Sequence, residues 1–149
     1  MLELHGPRLK RLYEAWEERR RGREFPSRAD FSPLDLTYIL GNVSLLDVAY
    51  APLRFRFRLH ASHLSARFGF EMTNKSVDEM PIVSHGRMAR AHYTEVIEKR
   101  APVAHARDNL FIDCSQKREC EGLVLPLARD GTTIDMLLSA LVWNDDGGE

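Results

Sequence analysis

The sequence predicts an α+β fold, in which helices cover one face of a five-stranded antiparallel sheet and an N-terminal helix lies on or near the other face. Two helical segments are followed by two strand-like segments, a helical block and three further strand-like segments. Helices and strands do not alternate regularly, so a doubly wound parallel sheet is not expected. The last strand-like segment is apolar on both sides, and such a strand must be covered on both faces.

The first predicted helix spans residues 8–21. Its apolar side chains recur at helical spacing and form one stripe, which consists of Leu9, Leu12, Tyr13 and Trp16. Gly22 is expected to end the helix. A second, short helix is predicted after Ser32, which can act as its N-cap, with Pro33 at the first helical position and Gly41 in a left-handed cap.

Two strands are predicted next, at residues 43–50 and, after the turn Ala51-Pro52-Leu53, at residues 54–59. The first is β-branched and apolar, whereas the second alternates strictly, with Arg54, Arg56 and Arg58 on one side and Phe55, Phe57 and Leu59 on the other. The short turn between them predicts an antiparallel hairpin. We therefore expect the phenylalanines to face the core and the arginines to face solvent.

The helical block covers residues 61–100, and its longest helix is predicted at 82–99. Strands are then predicted at roughly 103–113, 119–128 and 132–143. Asp130 and Gly131 suggest a two-residue type I′ turn between the last two strands. In the last strand, Ile134, Met136, Leu138, Ala140 and Val142 share one face, and Leu137, Leu141 and Trp143 share the other. The helical block can cover one of these faces, and the stripe of the first helix or a partner subunit can cover the other.

Composition excludes several classes of protein. The chain has 149 residues and a formal net charge of -1, which gives no general attraction to nucleic acid or to an anionic membrane. The longest apolar run, residues 136–143, is too short to span a bilayer, and the N-terminus lacks the apolar region of a signal peptide. We therefore expect a cytoplasmic protein with no nucleic-acid or membrane partner.

No catalytic or metal-binding motif stands out. The chain has no nucleophile elbow, phosphate-binding loop, dinucleotide fingerprint or zinc-protease motif. Cys114 and Cys120 lack the spacing of zinc ligands, so no metal site is expected. The expected organisation is an N-terminal helix and approach segment at 1–30, one domain at 31–143 and a disordered acidic tail at 144–149.

The order of elements, with these residues, resembles a PAS domain, and most closely the stand-alone bacterial PAS proteins that carry an N-terminal helix. The stretches that carry the resemblance are YEAWEERRRG, FPSRADFSPLDLTYILGNVSLLDV, FRFRLHASHLSARFGFEMTNKS and LPLARDGTTIDMLLSAL. Asn74 stands where the family usually has Gly, and Asn tolerates the left-handed conformation of that turn. Pro126 lies in a strand that is internal in PAS domains, which predicts a bulge or a short neighbouring strand there.

The resemblance implies a pocket between the concave face of the sheet and the helical block. By this analogy, the expected lining is Phe55, Phe57, Leu59, Leu64, Phe68, Met88, His92, Val96, Leu125 and Met136. The same side chains could simply fill the core, and the residues alone leave both interpretations open.

The resemblance also suggests the function. The leading hypothesis is a non-enzymatic regulatory PAS module that senses a small molecule, mediates protein–protein contacts in bacterial signalling, or does both. One alternative is a sensor that binds haem or a redox cofactor, with His85 or His92 as the haem ligand; a flavin with a reactive cysteine is disfavoured because both cysteines lie outside the helical block. The other alternative is a purely structural dimerisation domain. The identity of any cofactor stays open.

A homodimer built on the N-terminal helix is also expected. The stripe of the first helix and an apolar outer face of the sheet would form its interface, and both sets contain residue types that are enriched at interfaces. The expected interface residues are Leu9, Leu12, Tyr13, Trp16, Leu137, Leu141 and Trp143. A helix laid across the sheet of its own subunit would satisfy the same stripe without a dimer.

Replacing Phe57 with Ala tests the predicted orientation of the second strand. If Phe57 lies in the core, the substitution should lower the free energy of unfolding by about 3–5 kcal/mol, because it leaves a cavity. Chemical denaturation measures the change. A loss below about 1 kcal/mol would show that Phe57 is not a core residue.

Overall fold

The computed structural model describes residues 2–108 and 119–143, and within them it shows the predicted α+β architecture. The helices are α1 (Pro7–Arg20), α2 (Ser62–Phe68) and α3 (Val83–Lys99). The strands are β1 (Val43–Ala49), β2 (Arg54–Leu59), β3 (Val103–Asp108), β4 (Glu119–Leu127) and β5 (Met136–Trp143). Short 3-10 turns lie at Arg28–Asp30, Pro33–Leu36, Leu40–Asn42 and Val77–Glu79.

The five strands form one antiparallel sheet in the order β2-β1-β5-β4-β3. The predicted hairpin of β1 and β2 is present, and Phe55 and Phe57 are buried, whereas the three arginines of β2 are exposed. The second helix that was predicted around Ser32 is only a 3-10 turn, although Ser32 caps it as expected. The predicted end of β3 at 113, Cys114 and the predicted tail lie outside the described residues.

Helix α1 packs on one face of the sheet, across β4. The Glu121 side chain of β4 accepts hydrogen bonds from the backbone N–H groups of His5 and Gly6, both at 2.7 Å, at the N-terminal end of α1. Further along, the Trp16 indole N–H donates to the Pro126 carbonyl oxygen at 2.8 Å. Because side chains alternate along a strand, the face of Glu121 also carries Leu123, Leu125 and Leu127. The opposite face belongs to α2 and α3.

The structure changes the interpretation of the expected dimer interface. Three residues of the stripe, Leu9, Leu12 and Trp16, are buried against the sheet of their own chain, and Tyr13 is half-buried beside them. Leu137, Leu141 and Trp143 are buried too, but their parity in β5 places them on the other face, under the helical block. The stripe and this set therefore lie on opposite faces of the sheet. Because β5 is apolar on both faces, its pattern alone does not say which helix covers which face.

Two predicted turns differ in detail. Gly41 has no left-handed backbone; it lies in the turn Leu40–Asn42, and a Cβ there would lie 2.8 Å from Nε2 of His63. The hairpin of β4 and β5 exists, but its loop covers residues 128–135 instead of two residues, and only Gly131 has a positive φ, of 89°. The Asp130 carboxylate accepts the backbone N–H groups of Thr132 and Thr133, and these bonds build the longer loop.

Two other expectations are confirmed. Asn74 adopts the left-handed conformation, with φ of 69°. Pro126 lies in β4 past the pair of Val103 and Val124, which is the last pair between β3 and β4. Strand β3 is thus the short neighbouring strand, and the missing N–H of Pro126 breaks no pairing with it.

Replacing Glu121 with Gln should weaken the attachment of α1. The amide keeps one acceptor oxygen, but its NH₂ group then faces a backbone N–H, so we expect a loss of about 1–3 kcal/mol in the free energy of unfolding. Chemical denaturation measures it. Glu14→Gln, at an exposed position of the same helix, is the control and should change stability by less than about 0.5 kcal/mol. Equal stability of the two variants would contradict this role for Glu121.

Candidate functional site

A small cavity lies between the sheet and the helical block. Its volume is about 50 Å³, enough for about three to five water molecules. The sheet contributes Ser44, Phe57, His105, Val124, Ser139, Ala140 and Leu141 to its wall. The helical block and its connections contribute His60, Leu64, Phe68, Phe70, Met80, His85, Ala89, His92 and Tyr93. The wall is mostly apolar, and its polar atoms belong to imidazoles and hydroxyls.

The expected pocket residues divide into three groups. Those that border the cavity are Phe57, Leu64, Phe68 and His92. Those that lie on the same side of the sheet without bordering it are Phe55, Met88 and Val96; Phe55 packs edge-on against Tyr93, and Met88 packs against the cluster of Cys120, Leu141 and Trp143. Those that lie elsewhere are Leu59, Leu125 and Met136.

The last group corrects the expected lining. Leu59 is 44% exposed at the end of the edge strand β2, where the β1–β2 register shifts near Leu45. Leu125 pairs with Leu138, and Met136 pairs with Leu127. All four of these residues share the face of Glu121, which α1 covers. Strand pairing therefore turns Leu125 and Met136 away from the cavity.

Four histidines surround the cavity, each from a different part of the wall. His60 follows β2, His85 and His92 lie one above the other on α3, and His105 comes from β3. The rings of His92 and His105 stack with their centroids 3.8 Å apart. The sequence predicts His92 as part of the pocket lining and offers His85 and His92 as possible haem ligands, but it does not single out His60 or His105. His105 pairs with a glycine in β4, and this pairing exists only in the folded sheet.

That glycine is Gly122, directly opposite His105 in the β3–β4 ladder. A Cβ at Gly122 would collide with the imidazole of His105, so the ring lies directly over the glycine backbone. A residue with a side chain at 122 would displace the ring from its stack with His92. Gly122 thus places His105 on the wall of the cavity.

His60 is held in place by hydrogen bonds. Its Nδ1 lies 2.9 Å from the Ser65 hydroxyl and 3.4 Å from the Met72 backbone N–H. Burial lowers the pKa of His60 below its ordinary value, and the Glu71 carboxylate, 3.8 Å from Nδ1, opposes this shift without cancelling it. Burial would raise the pKa of Glu71, but hydrogen bonds from Thr73 and Ser65 outweigh it and lower that pKa to about 2. Glu71 therefore stays ionised while His60 stays neutral at pH 7.

His85 and Tyr93 also favour their neutral forms. Burial lowers the pKa of His85, whose ring contacts Phe68 edge-on at 5.1 Å between centroids. Burial raises the pKa of Tyr93 to about 12, and a hydrogen bond with Ser139 only partly offsets it. Among the residues that the structure describes, no lysine, arginine, aspartate or glutamate is part of the cavity wall. The described residues contain no group of three His, Cys, Asp or Glu side chains that could hold a metal ion.

Helix α2 covers the cavity with little burial of its own. None of its seven residues is buried, although Leu64 and Phe68 reach inward. Its His63 lies 3.0 Å, through Nδ1, from the Asn42 side-chain oxygen, and the Arg8 guanidinium of α1 donates to the same oxygen at 3.3 Å. The Asn42 amide donates to the Leu141 carbonyl oxygen at 2.9 Å. The buried Asn42 thus joins α1, α2 and β5.

Comparison with known proteins agrees with this fold. A family model described as a PAS domain matches residues 4–142. This chain belongs to the PAS domain family. No curated protein sequence matches the chain.

Solved structures of other proteins resemble this PAS domain at low sequence identity. A sensory box sensor histidine kinase from Vibrio cholerae matches with a TM-score of 0.51 and 14% identity, over 74% of this chain and 90% of that chain. A variant of RsLOV matches with a TM-score of 0.46 and 12% identity, over 72% of this chain and 62% of that chain. At such identities, the first similarity shows the fold alone. Within the described residues, no helix is long and apolar enough to cross a membrane.

The histidines predict how the stability of this PAS domain depends on pH. Since burial lowers the folded-state pKa of His85, the unfolded chain binds a proton more readily, and stability should fall as pH drops below about 6.5. His85→Asn cannot titrate there, so its free energy of unfolding should decrease less between pH 7.5 and pH 5. The stability that the ionised Glu71 contributes is lost only as the pH falls from its ordinary pKa of 4.5 to its folded-state pKa of about 2, below the tested pH values.

Chemical denaturation at the two pH values measures this difference. His5→Asn removes an exposed histidine and should keep the pH dependence of the unchanged protein. If His85→Asn and the unchanged protein lose the same stability on acidification, His85 is not a buried neutral imidazole.

Proposed function

We propose that this PAS domain is a non-enzymatic regulatory module whose cavity binds a small molecule and whose output passes through protein contacts. The cavity between the sheet and the helical block is the observation that carries the proposal. Its wall combines apolar side chains with imidazoles and hydroxyls, the mixture that orients small ligands in proteins. Helix α2, which buries none of its residues, is the segment best suited to respond to an occupant.

The cavity does not fit a haem or a flavin. Its volume of about 50 Å³ is a third of the roughly 150 Å³ of a cavity that accommodates a single benzene ring. Haem and flavin are both many times larger than benzene. His85 and His92 border the cavity, but so do the bulky rings of Phe57 and Phe68. A small ligand therefore explains the site better than either cofactor.

A homodimer remains part of the proposal, but not through the stripe of α1. That stripe is buried within one chain, so a dimer would use surfaces that α1 leaves exposed. Sedimentation at tens of micromolar tests whether the protein pairs at all. A dimer with a fully filled cavity would favour the alternative of a structural dimerisation domain.

Filling the cavity tests the small-molecule function. Ala89 borders the cavity and is 4% exposed, so Ala89→Leu should place three more carbon atoms in it and exclude a ligand. Ala91→Leu adds the same atoms at an exposed position of α3 and serves as the control. Mass spectrometry of natively purified protein should find a co-purifying small molecule with the unchanged protein and with Ala91→Leu, but not with Ala89→Leu.

The same three proteins also show which results would contradict binding in the cavity. A compound that co-purifies equally with Ala89→Leu binds outside the cavity. If none of the proteins carries a compound and none binds any of a set of small probe molecules, the cavity is only a packing defect. Chemical denaturation of Ala89→Leu shows whether it is folded, since overpacking costs about 1–3 kcal/mol.

A further inference from the structure

The Ser65 hydroxyl determines which nitrogen of the His60 imidazole carries the proton. Its oxygen lies 2.7 Å from a carboxylate oxygen of Glu71 and 2.9 Å from Nδ1 of His60. Glu71 is ionised and can only accept, so the single hydroxyl proton of Ser65 is donated to the carboxylate. The contact between Ser65 and His60 then needs a proton from the imidazole, and Nδ1 carries it.

Two longer contacts do not change this assignment. The Ala61 carbonyl oxygen lies 3.3 Å from the Ser65 hydroxyl, farther than the charged carboxylate that competes for the same proton. The Met72 backbone N–H would need a lone pair on Nδ1, but at 3.4 Å it is the weaker contact of that nitrogen. Burial lowers the pKa of His60, so the ring is neutral at pH 7 and its second nitrogen, Nε2, carries a lone pair.

This acceptor nitrogen is available to an occupant of the cavity. The His60 ring borders the cavity, and its side chain is only 2% exposed. Among the described residues, Nε2 has no hydrogen-bond partner, yet it is not one of their fully enclosed polar atoms. The open space that it meets is therefore the cavity. A buried acceptor without a donor is costly, so an occupant that donates to Nε2 is favoured.

Ser44, on the sheet side of the cavity, offers the complementary group. It is 4% exposed, and its oxygen accepts the Ala61 backbone N–H at 2.9 Å. Because Ala61 directly follows His60 in the chain, the hydroxyl and the imidazole lie at the same part of the wall. Within the described residues, the hydroxyl has no other hydrogen-bond partner, so its own proton is available to a ligand. This part of the wall thus presents one donor and one acceptor.

We propose that the cavity binds a small alcohol, whose hydroxyl donates to Nε2 of His60 and accepts from the Ser44 hydroxyl. This inference rests on the proposed function of the cavity. A hydroxyl group combines a donor and an acceptor on one atom, as these two partners require. Its alkyl group lies among apolar side chains such as Phe57 and Leu64. Space for about three to five water molecules limits the ligand to about three to five non-hydrogen atoms, the range from ethanol to butanol.

Two isomers, 1-butanol and diethyl ether, test the proposal. They contain the same atoms, but the ether oxygen can only accept. Titration followed by the backbone amide NMR signal of Ala61 should show saturable binding of 1-butanol, with diethyl ether at least about fivefold weaker because Nε2 of His60 then lacks a donor. Ala89→Leu fills the cavity and should abolish the effect of 1-butanol. Equal affinity for the two isomers, or unchanged binding of 1-butanol to Ala89→Leu, would overturn the proposal.

Glu71→Ala tests the position of the proton without altering the described wall of the cavity, which does not include Glu71. Long-range ¹H–¹⁵N NMR spectra of the unchanged protein should show the His60 proton on Nδ1. In Glu71→Ala, the Ser65 hydroxyl can donate to Nδ1, so the imidazole proton should move to Nε2 and the preference for 1-butanol over diethyl ether should shrink. Glu98→Ala, at an exposed position of α3, is the control and should change neither. A proton on Nε2 in the unchanged protein would overturn the proposal.

The outcomes separate this inference from the proposed function. If 1-butanol does not bind, but another compound co-purifies with the protein and is lost in Ala89→Leu, the alcohol is the wrong class and the small-molecule function stands. An ordered water molecule could also bridge Ser44 and His60. If no probe binds and no compound co-purifies, water is the only occupant, and both the inference and the proposed function fail.

Discussion

Strands β4 and β5 carry apolar side chains on both faces, and the need to bury both faces at once is the constraint on which the rest of the structure depends. Helix α1 meets this need on one face, with Glu121 and Trp16 as its hydrogen-bonded attachments to β4. The helical block meets it on the other face. The apolar stripe of α1 packs against its own chain on one face of the sheet, and the cavity lies on the opposite face.

The cavity owes its chemistry to small and polar residues among the apolar ones. Gly122 lets the imidazole of His105 lie on the sheet, and Gly41 leaves space for the ring of His63 on α2. Asn42 then connects α2, through His63, to α1 and to the edge of the cavity at Leu141. The cover of the cavity and the N-terminal helix are therefore joined through one buried side chain, which gives the two faces of the sheet a direct physical connection.

Burial sets the charge state of two histidines at the cavity. It lowers the pKa of His60 and of His85 below the ordinary value, so both imidazoles favour the neutral form at neutral pH. Among the described residues, the polar side chains that border the cavity carry imidazole or hydroxyl groups. The described part of the wall therefore places hydrogen-bonding groups between apolar side chains, the combination on which the proposed small-molecule site rests.

The sequence by itself determined the order of elements, the burial of Phe55 and Phe57 and the left-handed Asn74, because these follow from local periodicity and backbone preference. Only the tertiary structure decided which face of β5 meets which helix, since a strand that is apolar on both sides carries no parity signal; Leu125 and Met136 were misplaced for this reason. The grouping of four histidines around the cavity could not be predicted from the sequence either. His60, His85, His92 and His105 are distant in the chain, and only strand pairing and the packing of α3 bring their rings around one small space.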